Sequence, residues 1–329
     1  MSKYPFRHDH FFKHFFQIRE VALEHVRDYL PPAIVARLDL SSFALDPTVH
    51  VGEGLQETRS DLAYGCLMKN GRNLKTVLLH EHKSEQPELD VRFQVIHYIS
   101  DQWRRDKQQG RPPAFVLPLV IYNGKTKWKK QPFKDSFPDL PEEFLPFLTE
   151  FDYLLLDLRR ISDEEIIRRS PGKMLASALL AMKHGFEADY FRKNFKKVVN
   201  FDWKKYSPAT WQPFLRALMS YISSATGFTK NDFQELAKPL PKPLNSFIMV
   251  TMESILEEGK KEGIEIGKKE ERLKKEREFV TSLISSFPKM TDEKIAFLTK
   301  TSIKFVAKVR KEIKAKKTNG SNGKSNNKN

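Results

Sequence analysis

Three charged side chains carry the sharpest chemical signal in this sequence: Asp61, then Glu81 twenty residues on, then Lys83. Glu81 and Lys83 directly continue the apolar run Val77-Leu78-Leu79, which reads as a buried strand over 74–82. Side chains alternate faces along a strand, so Glu81 and Lys83 share one face and His82 takes the other. Asp61 opens a second such run, 61–68 (DLAYGCLM), and Lys69-Asn70-Gly71-Arg72 lies between the two. Asn-Gly between apolar runs is a strong hairpin signal. A hairpin would gather all three charges at one end of a sheet.

Register tests that gathering. A strict two-residue Asn70-Gly71 loop sets Asp61 opposite His80, on the face away from Glu81. An odd-length loop, or a bulge with Gly71 left-handed, restores a shared face and is the expectation here. Two carboxylates on one face repel unless a cation joins them. Mg²⁺ suits hard oxygen ligands of this kind, and Mn²⁺ or Ca²⁺ are alternatives. The backbone carbonyl of His82 offers a further oxygen. Lys83 would orient an attacking water or stabilise charge on a phosphate. Together these groups are equipment for hydrolysing a phosphodiester. The competing reading makes Asp61 a strand-end cap and Glu81–Lys83 a surface pair.

The elements that must position these residues follow from periodicity. Residues 8–30 read as one amphipathic helix through Phe11, Phe12, Phe15, Phe16, Val21, Leu23, Val26 and Leu30, stopped by Pro31-Pro32. A short helix over 32–38 follows, and Leu40–Leu45 lead towards a first strand near 48–56. After the hairpin, 88–109 reads as a helix with Val91, Val95, Ile96, Ile99 and Trp103 along one side. A strand at 114–122 ends at Asn123-Gly124, and another spans 152–158. Ser162-Asp163-Glu164 caps a helix over 163–169. The fold class is α/β. The expected organisation is an α/β core over 1–170, a helical region at 171–256 packed on or following it, and a charged helical connector at 257–288. A basic helix-turn-helix-like segment at 289–316 and a disordered tail at 317–329 complete it.

Charge points to the partner. The net charge is +15 and the pI about 9.6. Such an excess favours polyanions, because each neutralised phosphate releases counterions. The connector is neutral, with eight positive and eight negative side chains. From 289 onward twelve Lys/Arg stand against three Asp/Glu, so +9 of the +15 lies there. In that segment Thr291 and Asp292 cap a first helix, and Ile303, Val306 and Val309 mark a second. Lys304, Lys308, Arg310 and Lys311 edge the second helix and would contact phosphates. Cys66 is the lone cysteine, which excludes an internal disulfide framework and a Cys-rich zinc site. The first residues lack the continuous apolar core of a signal peptide, and no apolar run is long enough to span a membrane. The expected location is the cytoplasm.

The segments HDHFFKHFF (8–16), DYLPP (28–32), DLS (39–41), RSDLAY (59–64), LLHEHKSEQP (78–87), FVLPLVIYNG (115–124) and YLLLDL (153–158) carry a family resemblance. Their layout resembles the PD-(D/E)XK nuclease superfamily, and more closely the bacterial recombination-promoting nuclease / putative transposase family within it. The resemblance implies a restriction-endonuclease-like mixed central sheet flanked by helices, with a helical C-terminal extension. It implies a Mg²⁺-dependent DNA endonuclease tied to recombination or mobile elements. The first motif acid falls on Asp61, where Ser60 replaces the preceding Pro. The second acid falls on Glu81 and the lysine on Lys83. Gln94 and Tyr98 resemble a Q-x-x-x-Y element that shares one helix face and supports catalysis. Asp9 is either a further acid or a helix cap. An inactive DNA-binding protein of the same fold and a strand-joining transposase stay open as alternatives. Double-strand cutting would call for two sites, which a homodimer supplies.

Overall fold

A computed structural model describes residues 8–46, 62–71, 73–81 and 90–321, with backbone alone for 8–10, 73–81, 262, 266 and 314–321. The chain divides into two compact units, Met1–Ile255 and Leu256–Asn329.

The first unit opens with helix α1 (His8–Phe16) and helix α2 (Arg19–Tyr29), not one helix over 8–30. The reason lies in the apolar stripe. Phe11, Phe12, Phe15 and Phe16 are fully buried. Continued by four residues, their stripe would reach Arg19 and Glu20, which are charged. The chain breaks at Gln17-Ile18, with Ile18 extended at φ −71° and ψ 112°. Arg19 then turns outward and donates from Nε to the Phe43 carbonyl at 2.7 Å. Helix α3 is only Pro32–Val35. Strand β1 is Leu38–Leu45, earlier than the strand expected near 48–56, a stretch outside the described residues. Its register shifts between Asp39 and Ala44, where Asp39 accepts from Ser41 N at 3.1 Å and Ser42 accepts from Leu67 N at 2.8 Å.

Strands β2 (Leu62–Met68) and β3 (Asn73–Glu81) form the expected hairpin. Leu67 pairs with Asn73 and Leu62 with Leu78, so an odd number of residues, the five from 68 to 72, separates the last pair. Gly71 sits there at φ +80°, a conformation that suits glycine. Helix α4 (Val91–Gln108) crosses over to strand β4 (Phe115–Tyr122), and strand β5 (Leu154–Asp157) closes the sheet. The order is β1-β2-β3-β4-β5, antiparallel through β3 and parallel from β3 to β5. Pro118 in β4 precedes Leu119, where pairing with β5 begins, so its missing N–H costs no bond on that side.

Helices α5 (Asp163–Arg169), α6 (Met174–Lys183), α7 (Ala188–Val198), α8 (Pro208–Thr226) and α9 (Lys230–Ala237) follow. The mixed α/β chain is therefore mostly helical. One sheet face packs Leu62, Tyr64, Cys66, Leu119 and Ile121 into the main core with α1, α2, α6 and α8. The other presents Ala63, Val116, Val120 and Tyr122 to Val91, Val95 and Tyr98 of α4. Alternation along β2 and β4 produces both faces.

Helix α10 runs from Lys242 to Ser286, through the charged 257–288 segment, and crosses the boundary between the units. In the second unit, Val280 and Ile284 of α10 form a small core with helix α11 (Asp292–Thr299) and helix α12 (Ile303–Ser321), through Ile295, Ala296, Val306 and Val309. Thr291 caps α11 by accepting from Lys294 N at 3.4 Å. Helix α12 reaches Ser321, four residues beyond Lys317 and inside the stretch expected to be a disordered tail.

Candidate functional site

Glu81 is the last residue of β3, and the sheet register gives it neighbours. Glu81 pairs with Tyr122 across β3 and β4, and Tyr122 pairs with Asp157 across β4 and β5. The carboxyl ends of three parallel strands therefore align at one rim. Val77 pairs with Ala63, so alternation puts position 81 on the Ala63 face, the one covered by α4. Asp61, His82 and Lys83 lie outside the described residues. Among the described residues, no three His, Cys, Asp or Glu group as a metal site.

Helix α4 runs back from this rim. It begins at Val91, ten residues after Glu81, and Asp90 caps it by accepting from Arg92 N at 2.9 Å. Gln94 is half-buried in its first turns, and Tyr98 lies one turn on, buried against the sheet. The two share a helix face, as i and i+4 positions do. Trp103, expected on the apolar side, is half exposed instead, and its indole donates to the Ala114 carbonyl at 2.9 Å. Asp9 stands in the first turn of α1 rather than before it.

The loop after β4 is held to the same rim. Trp128 is buried, and its backbone N–H donates to Asp157 Oδ2 at 2.9 Å. Its indole donates to the Tyr153 hydroxyl at 3.0 Å, and its carbonyl accepts from Arg160 Nη2 at 2.7 Å. Gly124 O accepts from Arg159 Nε at 2.9 Å. Arg92 reaches from α4 to the carbonyl of Gln131, while holding Asp90 through two bonds at 2.9 and 2.7 Å. Burial pushes the Tyr153 hydroxyl up to about 12, so it stays protonated. Lys125, Lys127, Lys129 and Lys130 of this loop are exposed. None is among the residues expected to function. The readable signal is the K-x-K-x-K-K spacing over 125–130, directly after the Asn123-Gly124 turn.

A second polar cluster joins α5, α6 and α7. Asp163 accepts from Lys183 Nζ and pairs with His184 Nε2, both at 2.9 Å, and also accepts from the Tyr190 hydroxyl. His184 Nδ1 meets Glu187 Oε2 at 3.0 Å, and its ring stacks on Tyr190 at 3.4 Å. Burial alone would raise the Asp163 carboxyl, but the bonds from His184, Tyr190 and Lys183 outweigh it and hold it well below the ordinary carboxylate range. Burial and the Asp163 charge both push the Tyr190 hydroxyl far up. Both His184 ring nitrogens are engaged, so the cluster ties three helices and offers no free base.

A family model described as "Putative transposase, YhgA-like" matches residues 6–206, more than half of the 329 residues. The chain belongs to this YhgA-like transposase family. No solved structure matches it. The match spans the whole sheet, α4, the lysine loop and the Asp163 cluster, and stops before α8. By its description, this family is associated with mobile elements. Among the described residues, no helix is long and apolar enough to cross a membrane.

Proposed function

We propose that this YhgA-like family member is a metal-dependent DNA endonuclease with a PD-(D/E)XK active site at the carboxyl rim of its sheet. The observation that carries the proposal is the odd-length β2–β3 connection. It puts position 81 on the Ala63 face; Asp61, two residues before Ala63 in the sequence, would take that face too if the alternation of β2 continues to it. What supports the reading of a restriction-endonuclease-like architecture is the mixed five-stranded sheet with helices on both faces.

The residues fit a hard cation: the carboxylates of Asp61 and Glu81 and the carbonyl of His82 are all oxygen donors. Bound Mg²⁺, Mn²⁺ or Ca²⁺ would supply Lewis-acid polarisation of a phosphoryl oxygen and a water of lowered pKa. Lys83 would hold negative charge on the phosphate or position the water. Gln94, at the rim end of α4, would support the substrate from above the sheet face. The exposed lysines of α12 at 304, 308 and 311 form one stripe opposite buried Val306 and Val309, and would add affinity for the DNA backbone.

The test is plasmid cleavage with Mg²⁺ against EDTA, for wild type, Glu81→Gln and Lys83→Ala. The metal held by Glu81 is worth several kcal/mol and charge stabilisation by Lys83 a similar amount, so each variant should lose about a thousandfold or more in rate. Cleavage that persists in EDTA at equal rate in all three proteins would sink the proposal. The family description favours one second reading, strand joining. Analysis of products for transfer of a DNA 3′-OH to a second molecule separates joining from hydrolysis.

A further inference from the structure

We infer that the loop over 123–131 is a phosphate-binding strap, which grips the backbone of duplex DNA beside the sheet rim through Lys125 and Lys127. The inference rests on the reading of that rim as a DNA-cleaving site, and deepens it by naming a contact surface.

Placement is the first support. The loop leaves β4 at Tyr122, the register partner of Glu81, so it begins at the rim itself. Its far end is tied by Arg92 to the start of α4. The strap therefore spans from the end of one strand to the helix that covers the Glu81 face.

Rigidity is the second. Gly124, Trp128 and Gln131 are each anchored through backbone groups, to Arg159, Asp157 with Arg160, and Arg92. The Tyr122 hydroxyl lies 3.4 Å from Thr126 Oγ1. Tyr122 also meets the Trp128 ring edge-on at 4.9 Å. Anchored residues at 124, 126 and 128 alternate with lysines at 125, 127 and 129. A free lysine loop would lose conformational entropy on gripping DNA; this one has its backbone ordered beforehand.

Charge is the third. Lys130 is compensated, since it pairs with Asp152 and lies 4.5 Å over the Tyr153 ring. Among the described residues, Lys125 meets the ring of Phe186, at 5.4 Å. Among the described residues neither Lys125 nor Lys127 pairs with a carboxylate. Two exposed ammonium groups on an ordered backbone, with no acid to neutralise them, are suited to phosphate oxygens.

The experiment is binding of a short fluorescein-labelled DNA duplex to the full chain, by anisotropy in EDTA across a series of KCl concentrations. The proteins are wild type, Lys125→Ala/Lys127→Ala, and a control, Lys268→Ala/Lys269→Ala, which removes the same charge from α10. Each phosphate contact contributes about 0.9 to the slope of log affinity against log salt. The loop variant should lower that slope by about 1.8 and weaken binding about tenfold at low salt, while the control stays close to wild type. An unchanged slope in the loop variant, or an equal drop in the control, would overturn the strap. Because EDTA removes cleavage, the result stands apart from the nuclease reading. If Glu81→Gln still cuts DNA, that reading fails, and the slope still decides whether the loop binds phosphate.

Discussion

The two faces of the central sheet are built from different chemistry. One is packed with phenylalanine: Phe11, Phe12, Phe15 and Phe16 of α1 are buried there, with Phe11 stacked on Tyr221 of α8 at 3.9 Å and Phe15 4.8 Å from Phe214. The other is covered by α4 and by rings that carry polar handles, Tyr98, Tyr122, Trp128 and Tyr153. The first face relies on apolar packing, with the Tyr64 hydroxyl donating to the Phe16 carbonyl. The second uses hydrogen bonds to fix where the backbone at the rim goes, which is what a site needs from its scaffold. Mutations on the first should therefore act on folding, and mutations on the second on the rim.

The largest effect should come from Phe15→Ala. Phe15 is fully buried and touches Phe11, Phe16 and Phe214. Removing the ring should cost about 3–5 kcal/mol, read as a lowered urea midpoint with an unchanged m value. A loss below about 1 kcal/mol would break the contrast between the faces, because it would mean that this core is not the stabilising one.

His25 lies on the same side, in α2, edge-on to Phe16 and stacked on Tyr29. Neither ring nitrogen has a hydrogen-bond partner among the described residues, and burial lowers its pKa from 6.5 to about 4. The folded state keeps it neutral while the unfolded chain protonates. Stability should fall as pH drops from 6.5 to about 4, by roughly 3 kcal/mol at most. Measured across that window, His25→Leu should lose this slope. Glu24, whose carboxyl burial raises although Tyr206 and Leu175 N–H bond to it, titrates in both proteins, so the difference between the curves belongs to His25. Parallel curves would remove His25 as the cause.

Much of this layout could be read from residues that act locally. The Asn-Gly turn, the β3 and β4 runs and the Ser162 cap depend on neighbours within a few positions, and the expected elements lie within a residue or two of those observed. The break at Gln17-Ile18 was not legible, because Arg19 and Glu20 are ordinary helix residues. What excludes them is the depth at which the four phenylalanines sit. Strand β1 stands where only a lead-in to a later strand is expected, since Ser41 and Ser42 at its bulge mask its alternation. At the rim, the place of Glu81 followed from period and register. The lysine loop did not, because exposed lysines in a loop read as solvation. Anchors from residues distant in sequence, such as Trp128 meeting Asp157, 29 residues away, and Gly124 meeting Arg159, turn them into an ordered row.

The smallest effect should come from Tyr153→Phe, and it examines the second face most closely. The variant keeps the ring, its edge contact with Trp128 at 6.5 Å and the Lys130 ammonium above it. It removes only the oxygen that accepts from the Trp128 indole. A buried N–H left without a partner costs about 1–3 kcal/mol, less than Phe15→Ala. The Trp128 backbone bonds to Asp157 and Arg160 persist, so the loop should stay at the rim with its lysines in place. DNA binding in EDTA should then keep the wild-type salt slope while thermal stability falls. A stability change within ±0.5 kcal/mol would show that the indole bond does not hold the loop. A lost slope would show that this one bond, rather than the backbone anchors, sets the lysines, and the contrast would narrow from two faces of a sheet to a single pair of rings.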